Sequence, residues 1–317
     1  QNLKAISIDN ELIENFRVNK ILAFRGLKQQ AIDTAEAGDI VSLAGMSKAT
    51  VADTIADQSV EDPIPAQPID PPTITVTFGI NDSPLAGRDG KKVQSRVIRD
   101  RLLKECESNV AIKMVDTPGG EAFDVSGRGE LQMGVLIENM RREGFELSIS
   151  RPRVIYKDVD GVKNEPIEEV TIDVDEEFSG AVIEKLSSRK GEMVDLKSSG
   201  SGKTRIIALV PSRGLIGYHS EFMTDTRGTG ILNRVFHSWS PHKGSIAGRR
   251  QGVLISMENG SSVAYAIFNL EERGKFFIGS GEEVYEGMII GEHNRDNDLE
   301  VNPLKGKKLT NIRASGN

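Results

Sequence analysis

Residues 73–79 read TITVTFG, a β-branched run set directly after Pro71-Pro72. Residue types of this kind fit a pleated, half-buried strand. Working outward, residues 89–108 place Val93, Val97, Leu102 and Cys106 near one face of a helix. Residues 110–115 and 122–125 read as strands around the turn Thr117-Pro118-Gly119-Gly120. A second helix is expected over 130–142 and a last strand over 145–149. The order β-α-β-β-α-β predicts a split βαβ, or ferredoxin-like, domain over 73–152. The plan recurs over 165–240. There VTIDV (170–174) is a strand, 179–189 a helix with Val182, Ile183 and Leu186 inward, and 193–196 and 205–210 strands. A short helix at 218–224 and a strand at 230–237 complete the second copy. Each copy would cover one sheet face with helices and leave the other open.

The flanks are β-rich. Residues 1–70 alternate as short strands at 16–22 and 40–43, which predicts part of a small β-barrel. Pro63, Pro65, Pro68, Pro71 and Pro72 then make a semi-rigid linker. In 241–317 strands are expected at 253–257, 263–268 and 284–290. The fold class is thus multidomain α+β, divided as 1–70, 73–152, 165–240 and 241–317.

The net charge of −7 argues against a protein that coats nucleic acid with its whole surface, but it does not exclude one basic face. Cys106 is the sole cysteine, so one chain can hold no disulfide and no thiolate-only metal site. Cys106 reads as a small core residue, and a reducing, cytoplasmic setting fits. No run approaches the roughly 18 apolar residues of a membrane-spanning helix. The start, QNLKAISIDN, has no signal-peptide layout and enters directly on a strand-like alternation, as a piece of a longer chain would.

Two stretches imitate a nucleotide site. Residues 197–204 (KSSGSGKT) end like a P-loop, but Lys197 stands where its first glycine belongs, and 205–210 reads as a strand where a helix is required. Asp116-Thr117-Pro118-Gly119 resembles a magnesium-side loop, yet it precedes the pseudo-P-loop and fits a hairpin turn. His219, His237, His242 and His293 show no zinc spacing. No catalytic residue, cofactor or metal ligand is assigned in this chain. A nucleotide-binding enzyme using Gly200–Thr204 is the alternative that these exceptions weaken.

Basic residues gather late. Residues 293–316 read HNRDNDLEVNPLKGKKLTNIRASG: Arg295 sits among acids, and from Val301 onward there are Lys305, Lys307, Lys308 and Arg313 with no acid. Two readings fit, a long basic loop held out by a folded body and a solvated tail with no core. Arg249 and Arg250 open the last domain. Together with the groups Lys91, Lys92, Arg96 and Arg99, Arg141 and Arg142, and Arg151 and Arg153, these residues suggest scattered docking points on an RNA backbone, with salt-sensitive, shape-led binding. A scaffold that binds protein through its open sheet faces, without RNA, is the other reading.

The strings NDSPLAGRDGK (81–91), DVSGRGELQMGVLIENMRREGFE (124–146), PSRGLIGYHSEFMTDTRGTGI (211–231), ERGKFFIG (272–279) and 282–316 resemble the BipA/TypA family of translational GTPases, similar in plan to elongation factor G and LepA. The resemblance covers nearly the whole chain. It implies a partial domain II-like barrel, domain III-like and domain V-like ferredoxin modules, and a family-specific C-terminal domain continuing past Asn317. It implies that GTP and magnesium belong to a GTPase domain outside this chain. The expected partners are the ribosome (large subunit and 70S), rRNA and the A-site tRNA, with the protein monomeric and away from membranes. Large-subunit assembly and growth under stress or cold are the implied roles. The loop matching 293–316 would reach the acceptor end of the A-site tRNA, which gives Lys305, Lys307, Lys308 and Arg313 a place.

Overall fold

Six short strands occupy the N-terminal part of the computed structural model, which describes residues 1–66, 69–198, 200, 202–246 and 251–306. They are β1 (Asn2–Ile6), β2 (Leu12–Arg17), β3 (Lys20–Arg25), β4 (Lys28–Ile32), β5 (Val41–Ala44) and β6 (Thr54–Asp57). They form two three-stranded sheets in the orders β2-β1-β6 and β4-β3-β5, with no closed barrel among the described residues. The single strand expected over 16–22 breaks at Val18-Asn19. The Val18 N–H donates to Gln1 O (3.0 Å), and the Asn19 N–H donates to Ala44 O in the other sheet (2.8 Å). This corner moves the chain between sheets, a step that period-2 alternation cannot reveal. Glu14 ties the corner to the following loop by accepting N–H groups of Ser47 (3.0 Å), Lys48 (2.6 Å) and Ala49 (2.9 Å). Contacts place residues 1–71 and 104–113 in one unit, and 72–103 with 114 onward in another.

The first βαββαβ module runs β7 (Ile74–Gly79), α1 (Ser95–Ser108), β8 (Lys113–Asp116), β9 (Ala122–Gly127), α2 (Glu130–Arg142) and β10 (Ser148–Ile149). Its strand order is β10-β7-β9-β8, with β11 (Arg153–Val154) also on β7. In the register, Val76 faces Val125 and Phe78 faces Phe123, and all four are buried. Ile98 and Leu102 of α1 and Met133, Leu136 and Met140 of α2 are buried too, each burial worth about 1.5–3 kcal/mol. The helix expected from residue 89 begins only at Ser95. Residues 87–90 instead wrap Glu146, whose carboxylate accepts N–H groups of Gly87 (2.6 Å), Asp89 (2.7 Å) and Gly90 (2.9 Å).

The second module repeats the order: β12 (Lys157–Val159), β13 (Val162–Asp175), α3 (Glu176–Ser188), β14 (Glu192–Ser198), β15 (Lys203–Pro211), α4 (Ser212–Leu215), α5 (Tyr218–Asp225) and β16 (Ile231–Pro241). β16 and β12 both pair with β13, which pairs on to β15 and β14. Asp160-Gly161, at φ +53° and +76°, turns β12 into β13. Both residues need the left-handed region, which Asp-Gly tolerates. Val170, Ile172, Val174, Ile206, Ala208 and Val210 form its core with Val182 and Leu186 of α3 and Tyr218 and Phe222 of α5.

The last part holds β17 (Val253–Ser256), β18 (Gly260–Ser261), α6 (Ala264–Leu270), β19 (Gly274–Phe276), β20 (Glu283–Val284), β21 (Ile289–His293) and β22 (Leu299–Val301). Four of the strands make the sheet β19-β21-β17-β22, and β18 pairs β20. Two expectations fail here. Residues 264–270 form a helix in place of the strand expected over 263–268. Alanines at 264 and 266 favour helix, and so short an apolar run fits either period. The strand expected over 284–290 is cut in two by a turn at Gly287, φ +88°.

Candidate nucleic-acid interface

β21 and β22 carry the turn that presents Arg295. His293 is buried, and its Nδ1 donates to Asn297 O at 2.5 Å. The Gly252 N–H donates to Arg295 O (2.6 Å), and the Asp298 carboxylate accepts the Val253 N–H (2.9 Å). Asn294 donates its N–H to Arg273 O (2.9 Å) and its side-chain amide to Glu272 O (3.0 Å). Gly252 has no room for a Cβ, which would overlap Asn297 O. The Arg295 backbone is therefore fixed on the sheet edge while its side chain stays exposed.

The expectation of one long loop over 293–316 fails for its first part. β22 adds to β17 in parallel, Val301 is buried, and Leu304 packs against a core that includes Leu254 and Ile290. A three-residue strand, Leu299-Glu300-Val301, is too short to show a period. It is built because β17 offers a ready edge. Lys305 lies beyond the far end of β22, so the structure sets Arg295 and Lys305 at opposite ends of that strand and does not bring them together. Both are exposed, and neither forms an ion pair among the described residues. Lys307, Lys308, Arg313, Arg249 and Arg250 lie outside the described residues.

The described residues on either side of Arg249 and Arg250 are held by polar contacts. On the entry side Glu165, fully buried, pairs with Arg213 and accepts the Lys243 N–H at 2.8 Å. On the exit side Gly252 is held by Arg295 O. Ile246 and Gln251 line one cleft of about 1290 Å3, whose polar walls include Arg151, Arg153, Arg189 and Glu221. The Glu165–Arg213 pair was not singled out from sequence. Glu165 stands in a run of alternating acid and apolar residues, where nothing separates a buried carboxylate from a surface one.

Other bases are already engaged. Arg99 binds Asp116 (2.9 Å), and Arg141 and Arg142 both hold Glu138 (2.8 Å each). Arg153 binds Asp124 (3.0 Å), and the Lys92 ammonium lies 4.6 Å from the Phe145 ring centre. The forks of Arg141 and Arg142 bring the Glu138 carboxyl down to about 2. The pseudo-P-loop joins β14 to β15, with Ser198 facing Thr204 across a hairpin. At the other stretch, the Thr117 N–H donates to Ala122 O (3.1 Å) and closes the β8–β9 turn. Among the described residues no three His, Cys, Asp or Glu side chains gather to hold a metal ion. No described helix is long and apolar enough to cross a membrane.

Comparisons with known proteins add to this geometry. Residues 251–317 match the family TypA/BipA C-terminal domain, and residues 162–250 match Elongation factor G C-terminus. The chain is 52% identical to the large ribosomal subunit assembly factor BipA of Bacillus subtilis over 303 residues, 95% of this chain and 50% of that protein. It is 50% identical to the protein of that name from Escherichia coli K12 over 317 residues, 99% of this chain and 52% of the relative. For Haemophilus influenzae the figures are 51% over 301 residues, 95% and 49%. The chain spans about half the length of these curated relatives.

Proposed function

The chain belongs to the TypA/BipA family, and on that premise we propose that it is the ribosome-binding portion of a translational GTPase that acts in assembly of the large ribosomal subunit. In this reading Arg249, Arg250, Arg295, Lys305, Lys307, Lys308 and Arg313 contact rRNA and the A-site tRNA. GTP and magnesium are handled by the part of the relatives' length that this chain does not match. The protein works as a cytoplasmic monomer on the large subunit and the 70S ribosome, under stress or cold. One observation carries the proposal. Arg295 and Lys305 stand exposed without a carboxylate partner among the described residues, while Arg99, Arg141, Arg142 and Arg153 of the first module are each paired with an acid. Unpaired lysine and arginine displace condensed counterions from a phosphate backbone, and this makes binding fall with salt.

Co-sedimentation of the chain with ribosomes over a salt series tests the proposal. Changing Lys305, Lys307 and Lys308 together to Ala should flatten the log-affinity slope by about two to three units. An unchanged affinity and slope would remove the lysines from the interface. Binding that survives ribonuclease would favour the protein-scaffold reading instead.

A further inference from the structure

The two βαββαβ modules face each other across a cleft with a mixed polar and apolar lining. The cleft of about 1290 Å3 is walled by Asp124, Arg151 and Arg153 of the first and by Arg189, Ser220 and Glu221 of the second. Val154, Ile155 and Ile216 also line it, and discrete polar contacts cross the boundary beside them. These converge on Arg234. Arg234 lies on β16 opposite buried Val170, so it sits on the helix-covered face of the second sheet. Its guanidinium is 3.5 Å from Glu168 in the same sheet and 4.0 Å from Glu130, the first residue of α2 in the other module. A Cβ on Gly129 would stand 3.3 Å from Arg234 Nη2, so the arginine reaches the entry of α2 itself. A cation there opposes the helix dipole, and the Glu130 carboxylate at the same helix start offsets it.

Glu130 also acts in the opposite direction. Its Oε1 accepts the Gly217 N–H at 3.0 Å, at the start of α5 in the second module. One carboxylate thus caps a helix of the neighbouring module and shares that module's arginine. Glu168 is buried, and burial pushes its carboxyl up while Arg234 opposes the rise. Arg234 is therefore already anchored within its own module and needs Glu130 only to cross the boundary.

We propose that Glu130 and Arg234 form a releasable clasp that sets the angle between the two βαββαβ modules. Glu168 anchors the arginine, and breaking the Glu130 side frees the modules to move about the cleft without unfolding either. The clasp lies at the boundary and outside both cores, so its removal should alter orientation and not internal structure.

Electron–electron spin distances on the full 317-residue chain test this. In a Cys106→Ser background, labels go on Asn139→Cys in α2 and Ser187→Cys in α3, both exposed positions. Glu130→Gln and Arg234→Gln should each broaden or shift the inter-label distance distribution while helix content by circular dichroism stays unchanged. Asp173→Asn breaks the Arg205 pair inside the second module and should leave the distribution as it was. If Arg234→Gln fails to fold, Glu130→Gln decides alone. A distribution in Glu130→Gln identical to the parent chain overturns the clasp, as does a change of equal size in Asp173→Asn.

Discussion

At the scale of single residues, Glu146 shows how one carboxylate builds a loop. It accepts three backbone N–H groups, and these, Gly87 foremost, bring its carboxyl from the ordinary 4.5 to about 2. The folded value lies below the unfolded one. Its stabilisation is therefore complete above the ordinary carboxylate range and fades as pH falls toward about 2. The melting temperature of the parent chain should drop more steeply between about pH 5 and pH 3 than that of Glu146→Gln. Amide exchange at Gly87, Asp89 and Gly90 should be faster in the variant at neutral pH. Gly252 makes the opposite point, that a missing side chain can be the requirement. Gly252→Ala forces a methyl into Asn297 O and should cost about 1–3 kcal/mol by chemical denaturation. It should also weaken ribosome binding if the Arg295 turn is used. Neither role is visible in the sequence, where Glu146 is one acid among many and Gly252 one of several glycines near the joint.

Elements were legible where their pattern was long. α2 was read at its true bounds, because thirteen residues give a helical period time to declare itself. The repeated βαββαβ order was equally readable, since each strand pair is separated by a helix or a turn signal. Short elements were not. α6 has seven residues and β22 three, and neither length distinguishes period 3.6 from period 2. The hairpin at Asp160-Gly161 carries its own short signal, an Asp-Gly pair between apolar residues. The candidate site was legible only as charge: sequence showed where bases gather without acids, but not that a sheet fixes Arg295 and separates it from Lys305. β17 is the element that does this, with β21 on one side and β22 on the other. Leu254 is its buried centre, so Leu254→Ala should cost about 2–5 kcal/mol and loosen both neighbours. Exchange protection at β22 would report that loosening directly.

Across the whole molecule the two units differ in how much core they own. Among the described residues of the first, the buried apolar side chains are Ala5, Ile6, Phe16, Ala23 and Ile112. The second holds the Val170–Phe222 and Leu254–Val301 cores as well as the buried residues of the first module. Stability follows buried apolar area, so scanning calorimetry should resolve two transitions, with the first unit melting at the lower temperature. A single transition by every probe would mean that the units are coupled. A net charge of −7 also predicts that binding to RNA in general is weak, and that what binding exists is confined to a few places. Those places are where mechanical tension would enter. β22 runs parallel to β17, paired at Leu254–Leu299, Ile255–Glu300 and Ser256–Val301. A pull on the chain beyond Lys305 therefore draws β22 along its own axis. Its hydrogen bonds to β17 are strained together, in shear, and do not peel one after another. The described end of β22 is thus held in a geometry that resists a pull along the strand.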